Sequence, residues 1–363
     1  MLQTLTDKVR LERWRETPLK RVLSTEWKGE VISNPQFMPT QHTMPEKCFV
    51  LTVVNGEVNP QWFDESLVPE GVLVTLEKGK VQIKVIPNTE VLTPFVIYNY
   101  TNSSDAAHTA SLNVAVEVGD ESKLSVLFVE AGEGEYVSLP KVSTKVGKAA
   151  SMNWLKISLN PDQASSFYDF ECDQAADSHS TILHYQTGGN VVRSDLVVHL
   201  KGEEAHTNFI ALNLGKDQQS LENVMTLHHE VPHCTSEQNI KNLLTDKANA
   251  LFDGMINVHQ DAQKTDANQL TRSILLSDKA RAMTIPRLEI YADDVRCTHG
   301  ATVGFLEPES LFYLRSRGIE LPEAQAMLLL SYTAEFLGMI DNEIVKDWML
   351  HQLENDLTRV RPA

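Results

Sequence analysis

Basic residues are in short supply in this chain. Its 363 residues carry 32 Lys and Arg against 49 Asp and Glu, a formal charge of −17. Nucleic acids and anionic membrane surfaces are therefore repelled rather than recruited. Cysteine is scarce too: Cys48, Cys172, Cys234 and Cys297 lie far apart, and no CxxC pair occurs. Neither a zinc knuckle nor a self-contained ferredoxin-type cluster site is encoded locally, and in a reducing compartment these are free thiols. No apolar run reaches the roughly 18 residues of a membrane span, and MLQTLTDKVRLERWRE at the N-terminus has no signal-type apolar stretch. These absences predict a cytoplasmic protein, in which the Asn102-Ser103-Ser104 glycosylation triplet is a coincidence. GxSxG, HExxH and Walker A motifs are missing; Val146-Gly147-Lys148-Ala149 lacks both the upstream glycine and the Ser/Thr of a phosphate loop. The chain is expected to bind no nucleotide itself and to carry no self-contained hydrolase chemistry.

What the chain has in abundance is short β-branched runs. Hydrophobic residues at 42% and this length are enough for a sizeable core. Residues 2–16 read as a short amphipathic helix, with Leu2, Leu5, Val9 and Trp14 on one side and Pro18 as its stop. Residues 24–48, with Pro35, Pro39 and Pro45, show no period and read as a linker. CFVLTVVNGEVNP (Cys48–Pro60) is a strand with an Asn55-Gly56 turn. From Val72 to Val303, runs such as ASLNVAVEVG, KLSVLFVEAG, VVRSDLVVHLKG and TNFIALNLG alternate between apolar and polar, with few helical patterns between them.

That pattern fits a sandwich, a barrel or a β-solenoid, and an internal repeat favours the solenoid. LLTDKANALFDGMINV (Leu243–Val258) aligns with LLSDKARAMTIPRLEI (Leu275–Ile290) at an offset of 32, and DSHSTILHY (Asp177–Tyr185) echoes EAHTNFIAL (Glu204–Leu212) at 27. Units that each bury an apolar strip on the next are the requirement of a β-helix. The C-terminal third changes character. Glu307–Arg317 reads as a helix with Pro308 in its first turn and Gly318 as C-cap. Pro322 opens a second, strongly apolar helix, EAQAMLLLSYTAEFLGMI, and Asp341 a third with Ile344, Val345, Trp348, Met349, Leu353 and Leu357 at helical spacing. So apolar a helix is buried either within the subunit or against a partner.

Three groups could carry chemistry. Cys297 and His299 are two apart, so on a strand they share a face, and sulfur beside imidazole suits iron–sulfur, zinc or copper(I). Two ligands cannot close a four-ligand site, so a metal here needs ligands from another chain. Gly300 gives the chain freedom to turn directly afterwards. His228, His229, His233 and Cys234 form a second cluster, HHEVPHC, but Pro232 breaks the helix that a His229/His233 metal pair needs; solvated loop histidines are the expectation. Asp293-Asp294 reads as a pair of turn acids.

The stretch YADDVRCTHGATVGFLEPESLFYLRSRGI, preceded by GMINVHQDAQKTDANQLTRSILLSDKARAMTIPRLEI, strongly resembles the SufB/SufD family of iron–sulfur cluster assembly scaffolds, on its SufD side. ADDVRCTHGATVG and FYLRSRGI are highly specific; FVLTVVNGEVNP and WRETPLK continue the likeness weakly upstream. The resemblance implies a mainly β protein: a right-handed parallel β-helix flanked by a short helical N-terminal segment and a helical C-terminal domain, divided as 1–48, 49–305 and 306–363. It implies a non-enzymatic subunit that pairs edge to edge with a SufB-like homologue and receives a SufC-like ABC ATPase on its C-terminal helices. It further implies a transient iron–sulfur cluster shared at the pairing interface, with His299 as ligand and Cys297 beside it. Only 13 residues precede WRETPLK, so the family's N-terminal helical domain is expected to be shortened. The rival expectations are a β-helix polysaccharide lyase or hydrolase, disfavoured by 7% aromatics and no signal peptide, and a purely structural β-helix. An unpaired solenoid edge also predicts homodimers of the isolated protein.

Overall fold

Alternating runs of β-branched residues bury one side only when a second layer lies beneath it, and here each run lies on its own repeat. The computed structural model describes residues 5–7, 11–30, 44–58 and 63–360. Leu2, Val9, Pro35 and Pro39 lie outside that set. The chain is mainly β, with 52% strand, and winds into a parallel β-solenoid of about 8 turns with a few helices at its termini.

The solenoid opens with two hairpins. β1 (Phe49–Val54) and β2 (Glu57–Val58) pair antiparallel about Asn55-Gly56, both left-handed at φ 53° and 79°, as a two-residue hairpin turn requires. β3 (Val72–Glu77) and β4 (Lys80–Val85) form the second. β1 and β4 each lie parallel to β5 (Phe95–Val118), which pairs along its length with β6 (Lys123–Val146). Thereafter each coil contributes two strands, which stack in two parallel columns. One column runs from β6 through β8 (Ser165–Gln174), β10 (Val191–Leu200), β12 (Ser220–His229) and β14 (Asn249–Val258) to β16 (Arg281–Ile290). The other runs from β6 through β7 (Ser151–Ser158), β9 (His179–Gln186), β11 (His206–Gly215), β13 (Thr235–Leu244) and β15 (Asp266–Leu275) to β17 (Arg296–Gly304).

The sequence repeats are the coil repeats. Ala250 pairs with Ala282, Ile256 with Leu288 and Val258 with Ile290, at the offset of 32; His179 pairs with His206 at the offset of 27. In the strands before the first of these repeats the pairing is Leu244 with Leu275, so the later coil accommodates one more residue in its corner. The corners turn through left-handed residues that are not glycine: Glu121, Ala149, Asp177, Glu204, His233 and Lys264. They carry no glycine signature, so no turn motif marks them along the chain.

Inside the tube lie Phe128, Trp154, Phe170, Ile182, Val198, Phe209 and Phe252. A second apolar cluster lies outside it. Leu127, Leu155, Leu183 and Ile210 form a stripe across successive coils, covered by the C-terminal helices. Of these, α2 is Pro308–Ser316, α3 Leu321–Gly338 and α4 Glu343–Leu357; α1 is the short helix Leu19–Leu23. Leu329 and Phe336 of α3 and Val345, Met349 and Leu353 of α4 are buried in that cluster, so the strongly apolar helix is covered largely within the subunit. Asn342 caps α4 by accepting from the amides of Ile344 and Val345.

The N-terminal segment departs from expectation in part: residues 5–7 are helical, but Glu12–Trp14 is a 3₁₀ turn, and Pro18 precedes α1 rather than ending a helix. Proline is tolerated at a helix start, where its missing N–H is not needed. Side-chain anchoring accounts for the rest. The Arg193 guanidinium lies 3.8 Å from the centroid of the Trp14 ring, Arg13 donates to Thr226 Oγ1 and to Asp253, and Thr17 donates to Glu222. WRETP is a latch on the solenoid wall.

Candidate terminal-coil site

The last coil exposes what every earlier coil hides. In β15, Ala267, Gln269, Thr271 and Ser273 are buried inside the tube. The register places Cys297 on Ala267, His299 on Gln269, Ala301 on Thr271 and Val303 on Ser273, so Cys297 and His299 occupy core-facing positions of β17. No strand is paired beyond β16 and β17 among the described residues, and those positions meet solvent. Val303 is 53% exposed and Ile290 of β16 is 40% exposed, whereas their partners one coil below are 4% and 0%. Tyr291 and Phe305 are also exposed beside them. The tube ends as an open cross-section of its own core.

Cys297 is half-buried against Ile256, Val258, Ala262 and Ala267. Burial pushes its thiol up, and the nearby Asp266 carboxylate adds to this, so alone it is a protonated thiol. His299 is exposed. Beneath it the Gln269 amide is held by donation of Nε2 to Gln238 Oε1 at 3.1 Å, and Thr298 Oγ1 donates to Asn268 Oδ1 at 2.8 Å. Gly300 does not turn the chain, contrary to expectation: β17 continues to Gly304, and Gly300 stacks on Leu270, where a Cβ would come within 3.2 Å of Cδ1. Thiol and imidazole together offer a soft donor and a borderline one. Both sit on a strand to which no further strand is paired on its outer side among the described residues.

HHEVPHC does not converge. His228 and His229 end β12 on opposite faces, and His229 lies inside the tube, where Nε2 lies 2.9 Å from Ser236 Oγ. Burial pushes His229 down to about 4. His233 is exposed at a left-handed corner and alone fits the solvated-loop reading; Cys234 is buried, its thiol pushed up to about 11. Cys172 is fully buried and pushed up to about 12, and half-buried Cys48 to about 11. Asp293 and Asp294 occupy the corner between β16 and β17, where Asp294 pairs with Lys264.

One group went unmarked in the sequence. Glu130 and Lys156 form an ion pair at 3.2 Å, both essentially inaccessible inside the tube. Ser138 and Ser166 donate to Glu130, and Lys156 donates to Ser158 and Ser194. Desolvation pulls Lys156 down while the Glu130 charge opposes it. The signal was there: Met152, Trp154, Lys156 and Ser158 alternate onto one face, and that face is the inner one.

Residues 97–332 match the SufBD core domain of the SUF iron–sulfur cluster assembly system. The chain is 30% identical over 297 residues to the iron–sulfur cluster assembly protein SufD of Escherichia coli, covering 80% of this chain and 67% of that protein. It is 31% identical to the chloroplastic protein ABCI7 of Arabidopsis thaliana, over 64% of this chain and 50% of that protein. A SufBD-family iron–sulfur cluster assembly protein of Synechocystis is 36% identical over 46% of this chain and 37% of its own length. The chain thus spans about two thirds of the first relative, half of the second and little more than a third of the third.

Proposed function

The chain belongs to the SufB/SufD family of iron–sulfur cluster assembly proteins, and on that premise we propose that it is a non-enzymatic cytoplasmic scaffold subunit of a SufBCD-type complex. The observation that carries this reading is the uncovered terminal coil. It presents core-facing positions, two strand edges, and Cys297 and His299 on one face. A SufB-like subunit adding its own strands to β16 and β17 would bury Ile290 and Val303 and complete the ligand set. The cluster is cargo, formed transiently between the subunits and passed on. His299 is its iron or cluster ligand from this side, and Cys297 an auxiliary thiol deprotonated when metal arrives. A SufC-like ATPase docks on residues 307–360, supplying the nucleotide chemistry for which this chain has no motif. In support, α2 buries none of its own side chains and exposes Phe312 and Tyr313. In isolation the same open edges favour homodimers.

The test is anaerobic purification of the tagged protein from its own cells, with mass spectrometry of the co-eluting chains, followed by His299→Ala in the recovered complex. Recovery of a Walker A ATPase and a β-rich homologue, with cluster yield lost in the variant and assembly intact, is the expected result. Wild-type cluster yield from the variant sinks the assignment of His299. Recovery of the chain alone sinks the complex.

A further inference from the structure

Far from the terminal coil, side chains converge on the outer face of the column containing β8, β10 and β12. His199 stands in register between Asp173 on β8 and His228 on β12. Glu171 precedes Asp173 by two residues and projects from the same face, while Cys172 between them points into the core. One ligand atom from each of Glu171, Asp173 and His199 lies within 4.8 Å of the other two. Small side-chain rotations bring such a group to the about 2.0–2.2 Å at which imidazole and carboxylate hold a zinc-sized ion.

The surroundings orient the imidazole. His199 Nδ1 lies 2.6 Å from Glu230 Oε1, so the ring donates there and its Nε2 lone pair is left for a metal, the arrangement in which ligating histidines are commonly held. His228 stacks face to face on His199, with centroids 4.7 Å apart and planes 5° apart, and His259 meets His228 edge-on at 6.0 Å. The cations facing the group are Lys201, whose Nζ lies 2.7 Å from Asp173 Oδ1, and Lys145, in register beneath Asp173. Lys201 is nearly half exposed on a flexible stem and can leave for solvent.

We propose that Glu171, Asp173 and His199 form a binding site for a divalent transition-metal ion. Glu230 orients the imidazole, and Lys201 occupies the site until metal displaces it. Two carboxylates and one imidazole suit Zn²⁺, Fe²⁺, Mn²⁺ or Co²⁺ and disfavour copper(I), which prefers sulfur. The proposal stands apart from the role assigned to the terminal coil, because no residue is shared.

The test is anaerobic Co²⁺ titration of the full chain carrying Cys297→Ser and His299→Ala, which removes the terminal-coil donors. The expected result is one equivalent bound, with visible d–d bands and no thiolate charge-transfer band. Glu230→Gln should weaken binding roughly 10- to 100-fold. Lys201→Met should tighten it, and His199→Ala or Glu171→Gln should abolish it. Glu171 is exposed, so that variant reads the site without endangering the fold. Absence of bound Co²⁺ at micromolar concentration overturns the proposal. So does binding that Glu171→Gln and His199→Ala leave unchanged.

Discussion

The middle of the solenoid and its last coil are built from the same repeat and behave as opposites. In the middle, a Lys and a Glu are drawn inside the tube, where hydroxyls and each other satisfy them. At the end, a thiol, an imidazole, an isoleucine and a valine occupy core-facing positions and meet solvent. The difference is not composition but the presence or absence of a next coil. A buried polar group must be paired, so the middle specifies itself; an uncovered core position is left to water.

Three measurements can break or sharpen that contrast. The largest effect belongs to the buried pair. Lys156→Met leaves Glu130 as an uncompensated buried acid and should cost about 3–5 kcal/mol in urea unfolding, while adding Glu130→Gln should restore part of the loss. Equal losses from the single and double variants would mean that the pair is not coupled.

The next effect is a pH dependence confined to the interior. His229 is pushed down from 6.5 to about 4 by burial. Between those values the unfolded chain binds a proton that the folded chain refuses, so stability falls as pH drops through this window and is unaffected above it. The loss reaches about 2 kcal/mol by pH 5, at 1.36 kcal/mol per pH unit. His184, also buried and pushed well down, contributes with the same sign. His229→Gln should show a shallower decline in urea midpoint between pH 7 and pH 5 than wild type; identical slopes would place the acid sensitivity elsewhere.

The smallest stability effect is expected at the open end. Ile290→Lys and Val303→Glu should change the unfolding free energy by only about 0.5–1 kcal/mol, because Ile290 is 40% and Val303 53% exposed and each loses only part of its apolar contact. The same substitutions should abolish co-purification of the β-rich homologue. A loss of several kcal/mol would show that the end is already covered in the isolated chain.

Much of this was legible beforehand. The offsets of 32 and 27 are coil repeats, Asn55-Gly56 is a hairpin turn, and Pro308, Gly318 and Pro322 punctuate the helices as expected. Other residues fold otherwise than their local sequence suggests, for physical reasons. Pro18 reads equally as a stop or a start, and the docking of Trp14 and Arg13 onto the wall decides which. Gly300 reads as a turn but makes room for Leu270 on the coil below. HHEVPHC reads as a cluster, but alternation along β12 and a corner separate its members. Glu171, Asp173 and His199 lie too far apart in sequence for any motif to join them.

By itself the sequence determined the repeat, the alternation and the chemistry of CTHG, because these depend on residues close along the chain or at a fixed period. Only the tertiary structure decided which positions are inside and which coil is last. Stacking sets both, and stacking is a relation between distant residues. Lys156 is buried because coils lie on either side of it, and His299 is exposed because none follows.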